Sequence, residues 1–141
     1  MNRAAFILLV SVCCAAGARP ARAQSTDTSA MKSILDGAYT TAQARRGEAV
    51  FNGVCGDCHA LAQFRQPSLI HAWDGRTVRD LFESIRTQMP LDDPGVLRRE
   101  QYADVLAYVF ELSGLPPGDT ALPTDDAALR RIRIERKAAA P

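Results

Sequence analysis

Two thiols and an imidazole fall within five residues, Cys55-Gly56-Asp57-Cys58-His59, the densest grouping of reactive side chains in the sequence. Cysteines three apart share one helical turn, and a histidine directly after the second sets an imidazole beside both sulfurs. Four chemistries use that spacing. A redox dithiol of the thioredoxin kind needs a preceding strand and a βαβ setting, and the flanking sequence offers neither. A structural zinc needs two more ligands, and beyond residue 23 there is no further cysteine and no other histidine than His71. A structural disulfide suits an oxidising compartment but leaves the core unfilled. Thioether addition of both sulfurs across the vinyl groups of a haem, with His59 on the iron, uses all three side chains. The reading is one covalent haem c on Cys55 and Cys58, with His59 as the first axial ligand.

The sixth position of the iron decides the chemistry. Met89 is the only methionine after the motif, and Pro90 follows it directly. A proline there ends the preceding helix, so Met89 falls where a loop begins and can turn inward. A thioether is soft and neutral, favours ferrous iron, and leaves no easy place for a substrate. The competing reading of Met89 is a core side chain packed on aromatics. His71, in the stretch Leu69-Ile70-His71-Ala72-Trp73, is the rival ligand.

Three stretches of helical periodicity carry these residues. The first starts at Thr40, where Thr40 and Gln43 fit a capping box, and sets Ala44, Gly47, Phe51 and Val54 on one face. The second starts at Thr77 with Asp80 three residues on, carries Val78, Leu81, Phe82 and Ile85, and stops near Gln88. The third runs from about Arg99 to Ser113 with Tyr102, Val105, Leu106, Val109 and Leu112 on one side; Gly114 suits the position past its end. No stretch alternates with a period of two over a useful length, and there is no internal repeat. The fold class is therefore all-α.

Around that unit the chain divides into four parts. Residues 1–23 read as a cleaved signal peptide: basic Arg3, an apolar run from Ala4 to Ala16 too short to span a bilayer, and Ala21-Arg22-Ala23 as the cleavage site. Residues 24–39 read as a flexible lead-in, 40–117 as the folded domain and 118–141 as a polar and basic tail. Within that tail, Ile132 and Ile134 alternate with Arg131 and Arg133; a segment docking back on the domain, or a basic patch for a partner, competes there with a solvated tail. The chain has 17 basic and 16 acidic side chains. Loss of Arg3, Arg19 and Arg22 on cleavage tips it acidic. No basic stripe points to nucleic acid, and no second apolar run points to more than transient membrane contact. A domain of this size with short helices buries too little surface to be stable alone. A large apolar body at its centre resolves that difficulty.

With these residues in place, the sequence resembles the class I cytochrome c family over about Thr41 to Pro117, and its run from Trp73 through Met89-Pro90 to Pro94-Gly95 is similar to a bacterial branch of small monohaem carriers and dehydrogenase-associated cytochromes. Gly47 and Phe51 match the family's N-terminal helix, Asp104-Val105-Leu106-Ala107-Tyr108 its C-terminal helix, and Pro67-Ser68-Leu69 its proline loop. Arg98 departs from the small capping residue of many relatives. The resemblance implies a small cytochrome c fold of three to five short helices around one haem, with Pro67 accepting the His59 ring N–H. Pro67, Leu69, Trp73, Phe82 and Ile85 are expected to form the haem pocket. The expected function is single-electron transfer in the periplasm, without transformation of a substrate. The expected partners are a dehydrogenase or quinol-oxidising donor and an oxidase or other acceptor. The alternative is a catalytic or ligand-sensing haem protein, or a cytochrome subunit of a dehydrogenase complex, with Met89 off the iron.

Overall fold

Helix starts where the caps demand it. The structure, a computed structural model, describes residues 30–65 and 67–137. Helix α1 spans Thr41–Val50, and the Thr40 hydroxyl accepts from the Gln43 N–H at 3.2 Å. The return half of the expected capping box is absent, because Gln43 is used elsewhere: its buried amide donates to the Leu122 carbonyl at 3.1 Å and accepts from the Leu122 N–H at 2.7 Å. Short α2 covers Ser68–Trp73. Helix α3, Val78–Gln88, has the full capping box of Thr77 and Asp80 and buries Val78, Leu81 and Phe82. It stops before Met89, which is extended at φ −131° and ψ 145° ahead of Pro90.

Helix α4, Arg99–Leu112, is the spine of the molecule. Every residue from Tyr102 to Phe110 is buried, so the helix is covered all round rather than on the single face its periodicity implied. Helix α1 crosses it at Gly47, where a Cβ would run into the backbone carbonyl of Asp104. Beside the crossing the Arg46 guanidinium makes a two-pronged bond to Asp104, both arms 2.9 Å. Gly114, at φ +75°, lets the chain turn away, and the Leu115 N–H returns to the Phe110 carbonyl at 3.0 Å.

The ends of the described chain correct the expected boundaries. Within the segment read as a flexible lead-in, β1 (Lys32–Ser33) pairs in parallel with β2 (Ile132–Arg133), and Ile34 and Tyr39 are buried. The Tyr39 hydroxyl donates to the Leu115 carbonyl at 2.7 Å. Within the segment read as a tail, Leu122, Leu129, Ile132 and Ile134 enter the core, and α5 (Asp126–Arg130) is tied to Arg79 and Arg99 through Asp126. The docked alternative for Ile132 and Ile134 is what forms: the Ile134 N–H donates to the Arg76 carbonyl at 2.8 Å, and its carbonyl accepts from Gly75 at 2.8 Å. Single apolar residues among polar ones, each buried by a different partner, have no period for a sequence reading to detect. The folded unit thus runs from about residue 32 to 136. The expected signal peptide lies outside the described residues, and among those described no helix is long and apolar enough to cross a membrane.

Candidate functional site

Beyond α1 the chain continues through a wider turn, Phe51–Cys55, that leads straight into the motif. The N–H groups of Cys58 and His59 both donate to the Cys55 carbonyl, at 3.2 and 2.9 Å. One carbonyl therefore closes the loop and gathers two sulfurs and an imidazole on one surface. Cys55 is half-buried and Cys58 exposed, and no disulfide joins them. Burial, with Cys58 alongside, pushes the Cys55 thiol pKa up. Among the described residues no cluster of three potential metal-binding side chains exists, so the zinc reading finds no further ligands.

These side chains open on a cavity of about 650 Å³ that Cys55, Cys58, His59 and Met89 all line. A second lobe of about 220 Å³ lies against Phe51, Phe64, Leu69 and Trp73, and His59 and Met89 border it too. The size falls in the range of cofactor pockets, roughly 300–1,000 Å³. Its walls are mostly apolar, supplied by Ile85 of α3 and Val105 of α4 among others. Met89 comes to this cavity from the end of α3, where its N–H donates to Ile85 at 2.8 Å.

Residues 42–109 match the family model described as Cytochrome C oxidase, cbb3-type, subunit III. That match supports the class I cytochrome c family for residues 42–109. No curated protein and no solved structure matches it. The cytochrome is a small all-α fold, it binds haem c covalently, and it belongs to haem-based electron transfer between redox partner proteins. The cavity fits that group: two thiols at its rim, an imidazole and a thioether on its lining, and apolar walls between them.

The pocket residues expected from sequence divide. Leu69, Trp73 and Ile85 line the cavity. Trp73 presents one ring face to the Arg76 guanidinium, 4.1 Å away. Pro67 does not line it; the residue is exposed, and its carbonyl is the first acceptor of α2, taking the His71 N–H at 2.9 Å. The His59 ring instead has Nδ1 3.2 Å from Gln63 Oε1 and stands edge-on to Phe64. Phe82 lies behind the wall, fully buried, with Tyr102 at 6.3 Å between ring centres and the Arg99 guanidinium 4.7 Å from its own. It faces the α3–α4 interface because its position in α3 is one residue round from the cavity stripe. His71 is exposed on α2 and lines neither lobe. Sequence reasoning missed Gln63 beside the His59 ring, and Phe64 and Asp92 on the cavity lining, none of which belongs to a periodic stripe or motif; Asp57 lines the cavity too, from within the Cys55–His59 motif.

Proposed function

We propose that the cytochrome is an exported single-haem electron carrier, tethered through Cys55 and Cys58 and ligated by His59 and Met89. The observation that carries this reading is that all four side chains line one apolar cavity. The haem supplies a one-electron ferric/ferrous couple. His59 presents a ring nitrogen whose partner nitrogen is held near Gln63, which steadies the ring's orientation. Met89 brings a neutral thioether that favours the ferrous state. The apolar walls exclude water and make the charge gained on oxidation costly, which also raises the reduction potential. Both ligands sit on fixed backbone, so little rearrangement accompanies each electron. Residues 1–23 support export to the periplasm by their basic start, apolar run and small-residue cleavage site. Donor and acceptor are a dehydrogenase or quinol-oxidising complex and an oxidase or other acceptor.

The experiment is the ferric spectrum together with cyanide binding. Weak far-red absorption from the iron–thioether bond and slow cyanide binding support Met89 as ligand; absence of that band with rapid binding rejects it. The match to a family described as an oxidase subunit favours a second reading, in which the cytochrome works as a subunit of a larger oxidoreductase. Co-purification from native membrane and periplasmic fractions separates the two: a free monohaem protein supports the carrier, and a stable complex supports the subunit.

A further inference from the structure

We propose that Tyr102 is a positioning residue for the iron ligand: its hydroxyl holds the loop that keeps Met89 on the cavity. The inference rests on Met89 being the second axial ligand. The loop between α3 and α4 is packed on the core near its far end, where Leu97 is partly buried, and has little to fix the rest of it. Leu91 and Val96 are 83% and 55% exposed, so apolar burial does not anchor its middle. Its internal bonds, the Asp93 N–H to Pro90 at 3.2 Å and the Val96 N–H to Asp93 at 3.3 Å, shape the loop without tying it to the body. Tyr102 does tie it. The hydroxyl donates to the Met89 carbonyl at 2.8 Å and accepts from the Gly95 N–H at 3.1 Å, so one oxygen clips the start of the loop to a point beyond its middle.

The clip is rigid because its carrier is. Tyr102 is 1% exposed, sits in the first turn of α4, and stands edge-on to Phe82 at 6.3 Å and 71°. Gly95, its donor, sits at φ +85°, a conformation that disfavours any side chain. Tyr102 also lines the larger lobe, beside the methionine it restrains. Without the hydroxyl, the Met89 carbonyl and the Gly95 N–H can turn to water, and the loop is free to swing the thioether away. With a hydrogen bond of this kind worth about a tenfold change in an equilibrium, the open form of the loop rises about tenfold.

The test is the rate of cyanide binding to ferric, haem-loaded protein, in the wild type, Tyr102→Phe, Met89→Ala and the double variant. Phenylalanine keeps the ring and its packing and removes only the oxygen. Tyr102→Phe is expected to bind cyanide about tenfold faster, with its far-red band lost on warming well before the helical circular dichroism melts. Met89→Ala binds faster still, and adding Tyr102→Phe to it changes nothing further, because the tyrosine acts through the methionine. A Tyr102→Phe rate equal to wild type overturns the inference. So does loss of the band in step with the helices, which marks a merely structural role. A double variant faster than Met89→Ala overturns it as well, showing that the oxygen only blocks access. A wild type without the far-red band rejects Met89 as ligand, a failure of the underlying reading visible before any tyrosine variant is compared.

Discussion

Replacing Gly47 with alanine adds one methyl group at the most crowded point of the molecule. The α1–α4 crossing brings the Asp104 carbonyl onto the space that methyl needs, with the Tyr108 Cβ only 3.0 Å from it. The obstacle is the Asp104 backbone and a Cβ fixed to the Tyr108 backbone, so no rotamer change relieves it; the helices must separate or α1 must slide. Overpacking of a tight interface costs about 1–3 kcal/mol, and backbone against backbone belongs at the upper end. Separation also stretches the two-pronged Arg46–Asp104 bond, worth about 1 kcal/mol or less at a site where Arg46 is largely exposed. Against this, alanine improves helix propensity by about 1 kcal/mol over glycine. The net expectation is destabilisation by about 2 kcal/mol. Gly53 is the control, since a Cβ there meets nothing within 4 Å, and Gly53→Ala should be neutral or slightly stabilising. Guanidinium unfolding of the haem-loaded proteins, followed by far-ultraviolet circular dichroism, measures both. If Gly47→Ala unfolds within about 0.5 kcal/mol of Gly53→Ala, the close crossing and the energetics drawn from it are wrong.

Other consequences are as direct. Gln43→Ala strands the buried N–H and carbonyl of Leu122 and should cost about 2–4 kcal/mol in the same unfolding assay. Burial, with Glu111 nearby, pushes the Tyr39 phenol up to about 12. Because the folded pKa lies above the ordinary value near 10, the folded state prefers the protonated phenol; stability from this group is intact below pH 10 and is lost as pH rises toward 12. Tyr39→Phe should remove that alkaline loss from a plot of unfolding free energy against pH. Truncation after Pro117 removes four buried side chains, Leu122, Leu129, Ile132 and Ile134, each worth at most about 1.5–3 kcal/mol. The shortened chain should show no cooperative thermal transition, whereas a merely solvated tail would be lost without effect.

The parts of this molecule legible in its sequence are those whose signals are local. The spacing of Cys55, Cys58 and His59 carries its chemistry within one turn of chain, and a single carbonyl, that of Cys55, is enough to shape it. Helices α3 and α4 were readable because Thr77 with Asp80, and Gly114, mark ends that propensity and capping decide on the spot. Residues whose role depends on distant partners were not. Gln43 looks like a capping residue until Leu122, far along the chain, takes both ends of its amide. Ile34 and Leu129 look like strays in polar segments, and only the docking of both chain ends on the domain buries them in the core. The family resemblance points to Pro67 as a pocket residue, and the apolar stripe of α3 offers Phe82 to the pocket or a helix interface, yet α2 uses the carbonyl of the first and the α3–α4 interface takes the ring of the second. The stripe of α4 marks Tyr102 as a residue of the pocket or helix interface; its hydroxyl bonds become visible only when the Met89 loop folds over it.

Carrier function as proposed requires the Met89 thioether to stand on the haem iron. That ligation is tested by labelling methionine methyl groups with carbon-13 and recording proton–carbon correlation spectra of the reduced protein. One methyl signal is expected far upfield, displaced by the porphyrin ring current and absent from Met89→Ala, with the exposed Met31 at an ordinary position. A reduced protein in which every methionine methyl lies at ordinary shifts would contradict it.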